Sequence, residues 1–191
     1  MGFSDQAGWV LTGGQSTRMG RDKAMLPWAD ITSSGRTMIE VIADAVREAA
    51  GSVTLVGAPE RYQSMKLPVV ADADGGFGPM SGLFTVLNAT KVDWNLVVAC
   101  DMPRLTSPFL RGLLDRARAE DKACLVPQTS QGLEPLCAVY HRRALPAVDW
   151  AVHHNVLKMQ DFVKTLDPFV WPVPHDIFLE NWNTPQDLAI K

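Results

Sequence analysis

Short apolar runs alternate along the chain with longer segments in which apolar residues recur every three or four positions. The segments with helical spacing predict helices at Thr37–Ala50, Met80–Ala89 and Ser107–Glu120. The apolar runs predict strands at Gly8–Leu11, Val53–Val56, Pro68–Ala71, Trp94–Cys100, Ala123–Pro127 and Leu136–Tyr140. Strands that alternate with helices indicate an α/β three-layer sandwich with a mostly parallel central sheet, and we expect a single domain over residues 1–191.

Some of these segments carry more detailed predictions. Trp94–Cys100 is nearly all apolar, which is typical of a central strand covered by helices on both faces. In the following helix, we expect Ser107 to be the N-cap and Pro108 the first helical residue. The Pro127–Pro135 segment has the composition of a turn-rich loop.

Composition narrows the class of protein. The chain has 191 residues, 47% of them hydrophobic, and a formal net charge of −3, so we expect a real core and no basic face for nucleic acid. Neither a signal peptide nor a transmembrane stretch is visible, so no membrane partner is expected. Cys100, Cys124 and Cys137 lie in apolar runs, and we expect them to be buried, reduced thiols of a cytoplasmic protein. His153 and His154 are expected at the surface rather than as metal ligands.

A glycine loop directly follows the first predicted strand. The segment from Leu11 to Lys23 reads L-T-G-G-Q-S-T-R-M-G-R-D-K. Gly13 and Gly14 let the backbone approach a ligand, and the loop offers backbone N–H groups to an anion. Arg18 and Lys23 add positive charge for a chain of phosphates. The spacing matches neither a P-loop nor a dinucleotide-binding loop. Phosphate binding is favoured over a glycine-rich turn with solvated charges.

Two further clusters contain carboxylates at predicted strand ends. Asp101 follows a buried run and needs a partner there, either a helix end, Arg18 or Arg104, or a Mg²⁺ ion. Asp72 and Asp74 precede glycines and could simply begin a turn. Because ligands bind at the carboxyl ends of strands in open α/β sheets, we expect these clusters and the glycine loop to converge on one edge.

Paired amides lie near the C-terminus. Asn181 and Asn183 share a face if the segment is extended, and their amides can both donate and accept hydrogen bonds. Asn183 or Thr184 before Pro185 could equally cap a short helix.

Four motifs together resemble one known family. The glycine loop is similar to L-x-G-G-x-S-x-R-M-G-x-D-K, a signature of the molybdenum cofactor guanylyltransferases, which are MobA-like nucleotidyltransferases. V-V-A-C-D-M-P, G-P-M-S-G and N-W-N-T-P-Q-D-L resemble the metal-binding segment, G-P-L-x-G and N-x-N-T-P-E-D-L of that family. The family usually has Ala where this chain has Thr12, and some members carry a nucleotide-contacting Asn within the segment matching Val56–Pro59.

The resemblance implies a glycosyltransferase-A-like, nucleotide-diphospho-sugar transferase fold and a reaction. GMP would pass from GTP to the phosphate of molybdopterin, or of its molybdenum-loaded form, with release of pyrophosphate. Lys23 would contact the phosphates in the transition state, Arg18 the triphosphate or leaving pyrophosphate, and Asp101 a Mg²⁺ cofactor. The residues implied to bind nucleotide or cofactor are Leu11, Thr12, Gly13, Gly14, Lys23, Asp72, Gly78, Pro79, Asn181 and Asn183. Asp74 is the alternative to Asp72 for the nucleotide contact.

Other functions remain open at this point. Cytidylyl relatives often read L-A-A-G and lack G-P-L-x-G, so the motifs favour guanine over cytosine. A sugar-phosphate nucleotidyltransferase or a non-catalytic nucleotide- or cofactor-binding protein are the alternatives. Retained Lys23 and Asp101 argue against a non-catalytic role. Transient contact with molybdoenzymes or their chaperones is an expectation for the product.

Overall fold

The structure is a computed structural model, and it describes residues 5–12, 36–72, 78–102, 104–156, 158–173 and 179. The strands are β1 (Gln6–Leu11), β2 (Thr54–Val56), β3 (Val69–Val70), β4 (Trp94–Ala99), β5 (Cys124–Thr129), β6 (Gly132–Leu133), β7 (Cys137–His141) and β8 (Phe169–Pro172). The helices are α1 (Met38–Ala50), α2 (Pro59–Tyr62), α3 (Pro79–Ala89), α4 (Ser107–Glu120), α5 (Leu145–His153) and α6 (Met159–Thr165). Short 3-10 turns occupy Gln63–Met65 and Arg142–Ala144.

Within the described residues the strands form one sheet in the order β3-β2-β1-β4-β7-β5-β6, and β8 pairs with β5. The neighbours β3, β2, β1 and β4 are all parallel, whereas β7 runs antiparallel between β4 and β5. Leu11 lies beside Val56 on one side and beside Ala99 on the other, and Val56 lies beside Val70. The four parallel strands therefore end in register at one edge.

Helices cover both faces of the sheet. Successive residues of each strand point to opposite faces, so each strand packs against both helical layers. In β4, Leu96 and Val98 pack with α1 and α4, while Val97 packs with α3 and α5. All six residues of β4 are buried, as expected for a central strand covered on both faces. The predicted three-layer α/β sandwich is confirmed.

A buried amide ties three strands together at the amino end of β4. Asn95 is fully buried, and its Oδ1 accepts a hydrogen bond from Trp9 Nε1 at 3.0 Å. Its Nδ2 donates to the carbonyl oxygen of Tyr140 at 3.4 Å. Because a buried polar group is costly without partners, these bonds favour one register of β1, β4 and β7 over any slipped alternative.

The ends of α1 follow well-understood capping chemistry. Thr37 is the N-cap, and the Glu40 carboxylate accepts bonds from its backbone N–H at 2.7 Å and its hydroxyl at 2.8 Å. The bond from the backbone N–H is the main reason that the pKa of Glu40 lies below its ordinary value. The helix ends at Gly51, whose φ of 79° suits a residue without a side chain.

Several predicted boundaries shift in the structure. Thr106, not Ser107, is the N-cap of α4, so Pro108 lies one residue further into the first turn. The expected loop at Pro127–Pro135 is wrong, because β5 continues through Pro127 to Thr129 and turns back as β6. Pro127 lies where pairing of β5 passes from β7 to β6, and its carbonyl oxygen accepts a hydrogen bond from Glu134 N–H at 2.9 Å.

The cysteines and histidines lie as expected from the sequence, apart from Cys100. All three cysteines are free thiols, and Cys124 and Cys137 are fully buried, which raises the pKa of both. Cys100, expected to be buried, is only partly so. His153 and His154 are exposed at the end of α5. None of the described helices is both long enough and apolar enough to cross a membrane.

Candidate active site at the carboxyl edge of the sheet

Three chemically distinct residues follow the aligned ends of the parallel strands. Thr12 comes directly after β1, Asp72 two residues after β3, and Asp101 two residues after β4. Adjacent strands are about 4.8 Å apart, so the ends of β3 and β4 are separated by roughly 14 Å across the edge. The predicted convergence of these residues on one edge agrees with the strand register.

Thr12 anchors the start of the glycine loop to β2. Its backbone N–H and its hydroxyl both donate to the carbonyl oxygen of Val56, at 2.9 and 2.8 Å. Only 7% of Thr12 is exposed. A Cβ added at Gly57 would overlap the Thr12 hydroxyl oxygen, so the threonine and the glycine fit as a pair.

Asp72 is oriented by the first turns of α3. Its Oδ1 accepts one hydrogen bond from Ser81 Oγ at 2.8 Å and one from Thr85 Oγ1 at 3.2 Å. The carboxylate is partly buried and lies near the amino end of the helix, where the helix dipole favours negative charge.

The G-P-M-S-G segment forms the amino end of α3. Gly78 has a φ of 58°, which is unfavourable for other residues, and Pro79 is the first helical residue. A Cβ at Gly82 would lie 3.1 Å from the Leu11 side chain, so α3 packs closely on the end of β1. The glycines thus bring the helix and the strand ends together.

Asp101 lies in the turn that follows β4 and begins at Cys100. The N–H of Cys100, the preceding residue, donates to the carbonyl oxygen of Leu11 at 3.1 Å, and this bond holds the turn against the end of β1. Asp101 is partly exposed, whereas the next residue, Met102, is buried.

The potential metal ligands around Asp101 suit Mg²⁺ better than a metal ion that needs several protein ligands. Among the described residues, no group of three or more His, Cys, Asp or Glu side chains could enclose a metal ion. Mg²⁺ does not need such a cage, because it binds through one or two carboxylates together with substrate phosphates and waters. A carboxylate at the mouth of a strand, beside a predicted phosphate loop, fits this requirement.

A cavity of about 460 Å³ lies on the β7 side of Asp101. It is lined by Pro79, Met102 and the segments 133–136 and 158–161. The backbone bond from Ala99 N–H to the carbonyl oxygen of Leu136, at 2.7 Å, connects this wall directly to the end of β4. Lys158 contributes a cation, Glu134 and Asp161 contribute carboxylates, and methionine, leucine and proline side chains provide apolar walls.

Comparison with known proteins assigns the family. The family model of the MobA-like NTP transferase domain matches residues 8–168. The chain belongs to this family. A probable molybdenum cofactor guanylyltransferase from Nostoc sp. is 35% identical over 95% of this chain and 87% of its own length. The sequence-based prediction of the family, and of a nucleotidyltransferase, is confirmed.

Solved structures share the MobA-like fold. Molybdopterin-guanine dinucleotide biosynthesis protein A from Archaeoglobus fulgidus has a TM-score of 0.80 at 22% identity, and the match covers 96% of this chain and 95% of that one. A Mycobacterium tuberculosis protein, Rv0371C, solved in complex with manganese, has a TM-score of 0.67 at 18% identity over 96% and 95% of the two chains. These matches confirm the predicted fold.

The described part of this MobA-like chain contains only some of the predicted site residues. Leu11, Thr12, Asp72, Gly78, Pro79 and Asp101 are brought to one edge. The remaining predictions lie outside the described residues and concern Gly13, Gly14, Arg18, Lys23, Asn181, Asn183 and the alternative Asp74.

The structure also identifies residues that sequence reasoning missed. Ser81 stands inside the G-P-M-S-G motif, and Thr85 lies one helical turn later on the same face. Their spacing was visible, but it could not be linked to Asp72 without the tertiary fold. Lys158 precedes α6, a helix that was not predicted, and no motif marked it.

Proposed function

We propose that this MobA-like protein transfers GMP from GTP to the phosphate of molybdopterin or its molybdenum-loaded form, releasing pyrophosphate. The observation that carries the proposal is the alignment of Thr12, Asp72 and Asp101 at one edge of a sheet whose loops match the family's motifs. The names of homologous guanylyltransferases support the same reaction.

The nucleotide binds along the β3-to-β4 half of this edge. The nucleoside lies toward Asp72 and Gly78, and the phosphates lie toward the glycine loop and Asp101, while Pro79 at the start of α3 lies between the nucleotide and the cavity that it also lines. The separation of about 14 Å between the ends of β3 and β4 suits an extended nucleoside triphosphate. Leu11, Thr12, Gly13 and Gly14 supply backbone contacts, and Lys23 and Arg18 neutralise phosphate charge.

Asp101 holds the Mg²⁺ ion. When bound, Mg²⁺ supplies positive charge that offsets the charge developing on the transferred phosphoryl group. Asp101 is a partly exposed residue and would supply one carboxylate, with phosphate oxygens and water as the other ligands, as Mg²⁺ prefers.

The acceptor occupies the cavity on the other side of Asp101. A flat, polar heterocycle fits a space with apolar walls and a few polar groups, and a volume of about 460 Å³ is typical of small-molecule sites. Lys158 attracts the acceptor's phosphate, while Glu134 and Gln160 offer hydrogen-bond partners to the ring edge. We assign Asn181 and Asn183 to the same ligand from their family motif.

The chemistry requires positioning rather than a general base. The acceptor phosphate is already ionised near neutral pH, so one of its oxygens attacks the α-phosphorus directly. The new O–P bond forms as the bond to the β-phosphate oxygen breaks, and pyrophosphate leaves with that electron pair. Lys23 and Arg18 stabilise the charge on the transferred and leaving groups. We place this reaction in the cytoplasm, with transient transfer of the product to molybdoenzymes or their chaperones.

A product survey tests the proposal. Purified protein is incubated with Mg²⁺, molybdopterin and each of the four nucleoside triphosphates in turn, and pyrophosphate release and dinucleotide mass are measured. We expect turnover with GTP to exceed that with CTP or ATP by about a hundredfold, because mismatched base edges leave polar groups unpaired. Equal turnover with CTP would reassign the base, and no pyrophosphate with any nucleotide would reject the enzyme.

A further inference from the structure

Two hydroxyl groups of α3 hold one oxygen atom of Asp72. Ser81 Oγ and Thr85 Oγ1 both donate to Oδ1, at 2.8 and 3.2 Å, so neither of these bonds involves Oδ2. A carboxylate with one oxygen fixed by two donors has its rotamer set before any ligand arrives.

Ser81 and Thr85 are both buried, and burying a hydroxyl group costs free energy unless it forms a hydrogen bond. Ser81 is 2% exposed and Thr85 is 5% exposed, on a helix whose other buried side chains, including Met80 and Leu83, are largely apolar. Packing alone would be served by alanine and valine at these positions, since a buried hydroxyl must be given a partner. The partner shared by both is the Asp72 carboxylate.

We infer that Ser81 and Thr85 are positioning residues for nucleotide binding, which turn Oδ2 of Asp72 toward hydrogen-bond donors of the nucleoside. The inference rests on the proposed function, since it assumes that Asp72 contacts the nucleotide. A prepositioned carboxylate loses less side-chain entropy when the ligand binds. Asp72 follows β3 and Asp101 follows β4, and these are the two outer strands of the parallel group. Because Ser81 and Thr85 orient the carboxylate that is far from Asp101, they act on nucleotide affinity and not on phosphoryl transfer.

A double-mutant cycle tests this role. Ser81→Ala with Thr85→Val is made in the wild-type chain and in an Asp72→Ala background, and the dissociation constant of the nucleotide is measured by titration calorimetry. We expect the pair of changes to weaken binding about tenfold when Asp72 is present, as the loss of bonds to a charged group does. We expect almost no further weakening when Asp72 is absent.

Further variants separate positioning from general loss of structure. Thr85→Ser keeps the hydroxyl and should recover most of the affinity lost in Thr85→Val. Thr90→Val is the matched control, because Thr90 is also a buried threonine at the other end of α3, where its hydroxyl bonds to Val92. It should leave the dissociation constant unchanged. At saturating nucleotide, kcat and the KM for the acceptor should stay unchanged in the Ser81 and Thr85 variants.

The titrations use whichever nucleoside triphosphate the wild type binds most tightly, so a wrong base assignment would alter the proposed function and leave this test intact. Unaltered affinity in the doubly substituted protein would overturn the inference, and so would an equal loss with and without Asp72. Failure of the wild type to bind any nucleoside triphosphate would overturn both the inference and the proposed function.

Discussion

Gly57 and Thr12 should be energetically coupled, because one residue occupies the space that a side chain on the other would need. A Cβ at position 57 would overlap Thr12 Oγ1 and would lie 3.4 Å from Thr12 Cβ and 3.5 Å from Tyr62 Cε2. The hydroxyl cannot rotate away without losing its bond to the Val56 carbonyl. We therefore expect Gly57→Ala to destabilise the fold and Thr12→Ala to relieve that effect.

The magnitude follows from overpacking and from one hydrogen bond. Gly57→Ala should lower the free energy of unfolding by about 2 kcal/mol, within the range for an inserted methyl group in a packed site. Thr12→Ala alone should cost about 1 kcal/mol for the lost bond to Val56. In the double variant the alanine methyl at position 57 fills the space of the removed hydroxyl. The double variant should then be about as stable as Thr12→Ala, with a coupling energy of about 2 kcal/mol.

Urea unfolding of the four proteins provides the measurement, and Gly57→Ala should also lower the Tm by about 4–8 °C. Gly112→Ala is the matched control, because its Cβ would meet the Trp171 ring at an ordinary 3.4 Å and alanine favours the helix α4. It should be neutral or stabilising by about 0.5–1 kcal/mol. Strict additivity of the Thr12 and Gly57 effects would refute the steric reasoning.

Three further predictions address the site and the fold. Asp101→Asn keeps the shape of the side chain and removes the charge for Mg²⁺, so kcat/KM should fall roughly a hundredfold with little change in Tm; near-normal turnover at limiting Mg²⁺ would contradict the metal assignment. Lys158→Met should raise the KM for the acceptor about tenfold and leave the dissociation constant of GTP unchanged; a weaker affinity for GTP would instead place Lys158 on the nucleotide. The Glu40 carboxylate stabilises the fold above its ordinary pKa of 4.5, and this stabilisation is lost as pH falls through the depressed pKa of the folded state. Glu40→Gln should therefore lower the free energy of unfolding, and its difference from the wild type in urea unfolding should shrink below about pH 4. A constant difference across that range would show that the carboxylate charge is unimportant.

The sequence predicted the parallel half of the sheet well, because its signals are local. β4 is an unbroken apolar run, and α1 has both a helical period and a capping box. Polar residues that directly follow such runs must emerge at a strand end, so the positions of Thr12, Asp72 and Asp101 on one edge could be predicted from the chain alone.

The antiparallel half of the sheet was not predictable in the same way. Whether Leu136–Tyr140 runs with or against its neighbours depends on long-range pairing with β4, which leaves no trace in local spacing. The predicted strand Ala123–Pro127 was too short because the composition of the Pro127–Pro135 segment indicated a loop, whereas β5 continues to Thr129 and pairs there with β6. The bonds from Ser81 and Thr85 to Asp72 likewise join elements that are separate in sequence.

Because β7 runs antiparallel to β4, two kinds of chain segment meet at this edge of the sheet. The residues that follow the parallel strands lie at this edge, whereas on the β7 side the 133–136 segment, which precedes the strand, lies there. Under the proposed function, the nucleotide contacts mainly the segments that follow the parallel strands and the acceptor contacts mainly the 133–136 and 158–161 segments, with Asp101 and Pro79 between them. Loops on the β7 side can change in length or composition without moving the ends of β1 and β3. A sheet built in this way can keep one nucleotide chemistry while its acceptor changes in the course of evolution.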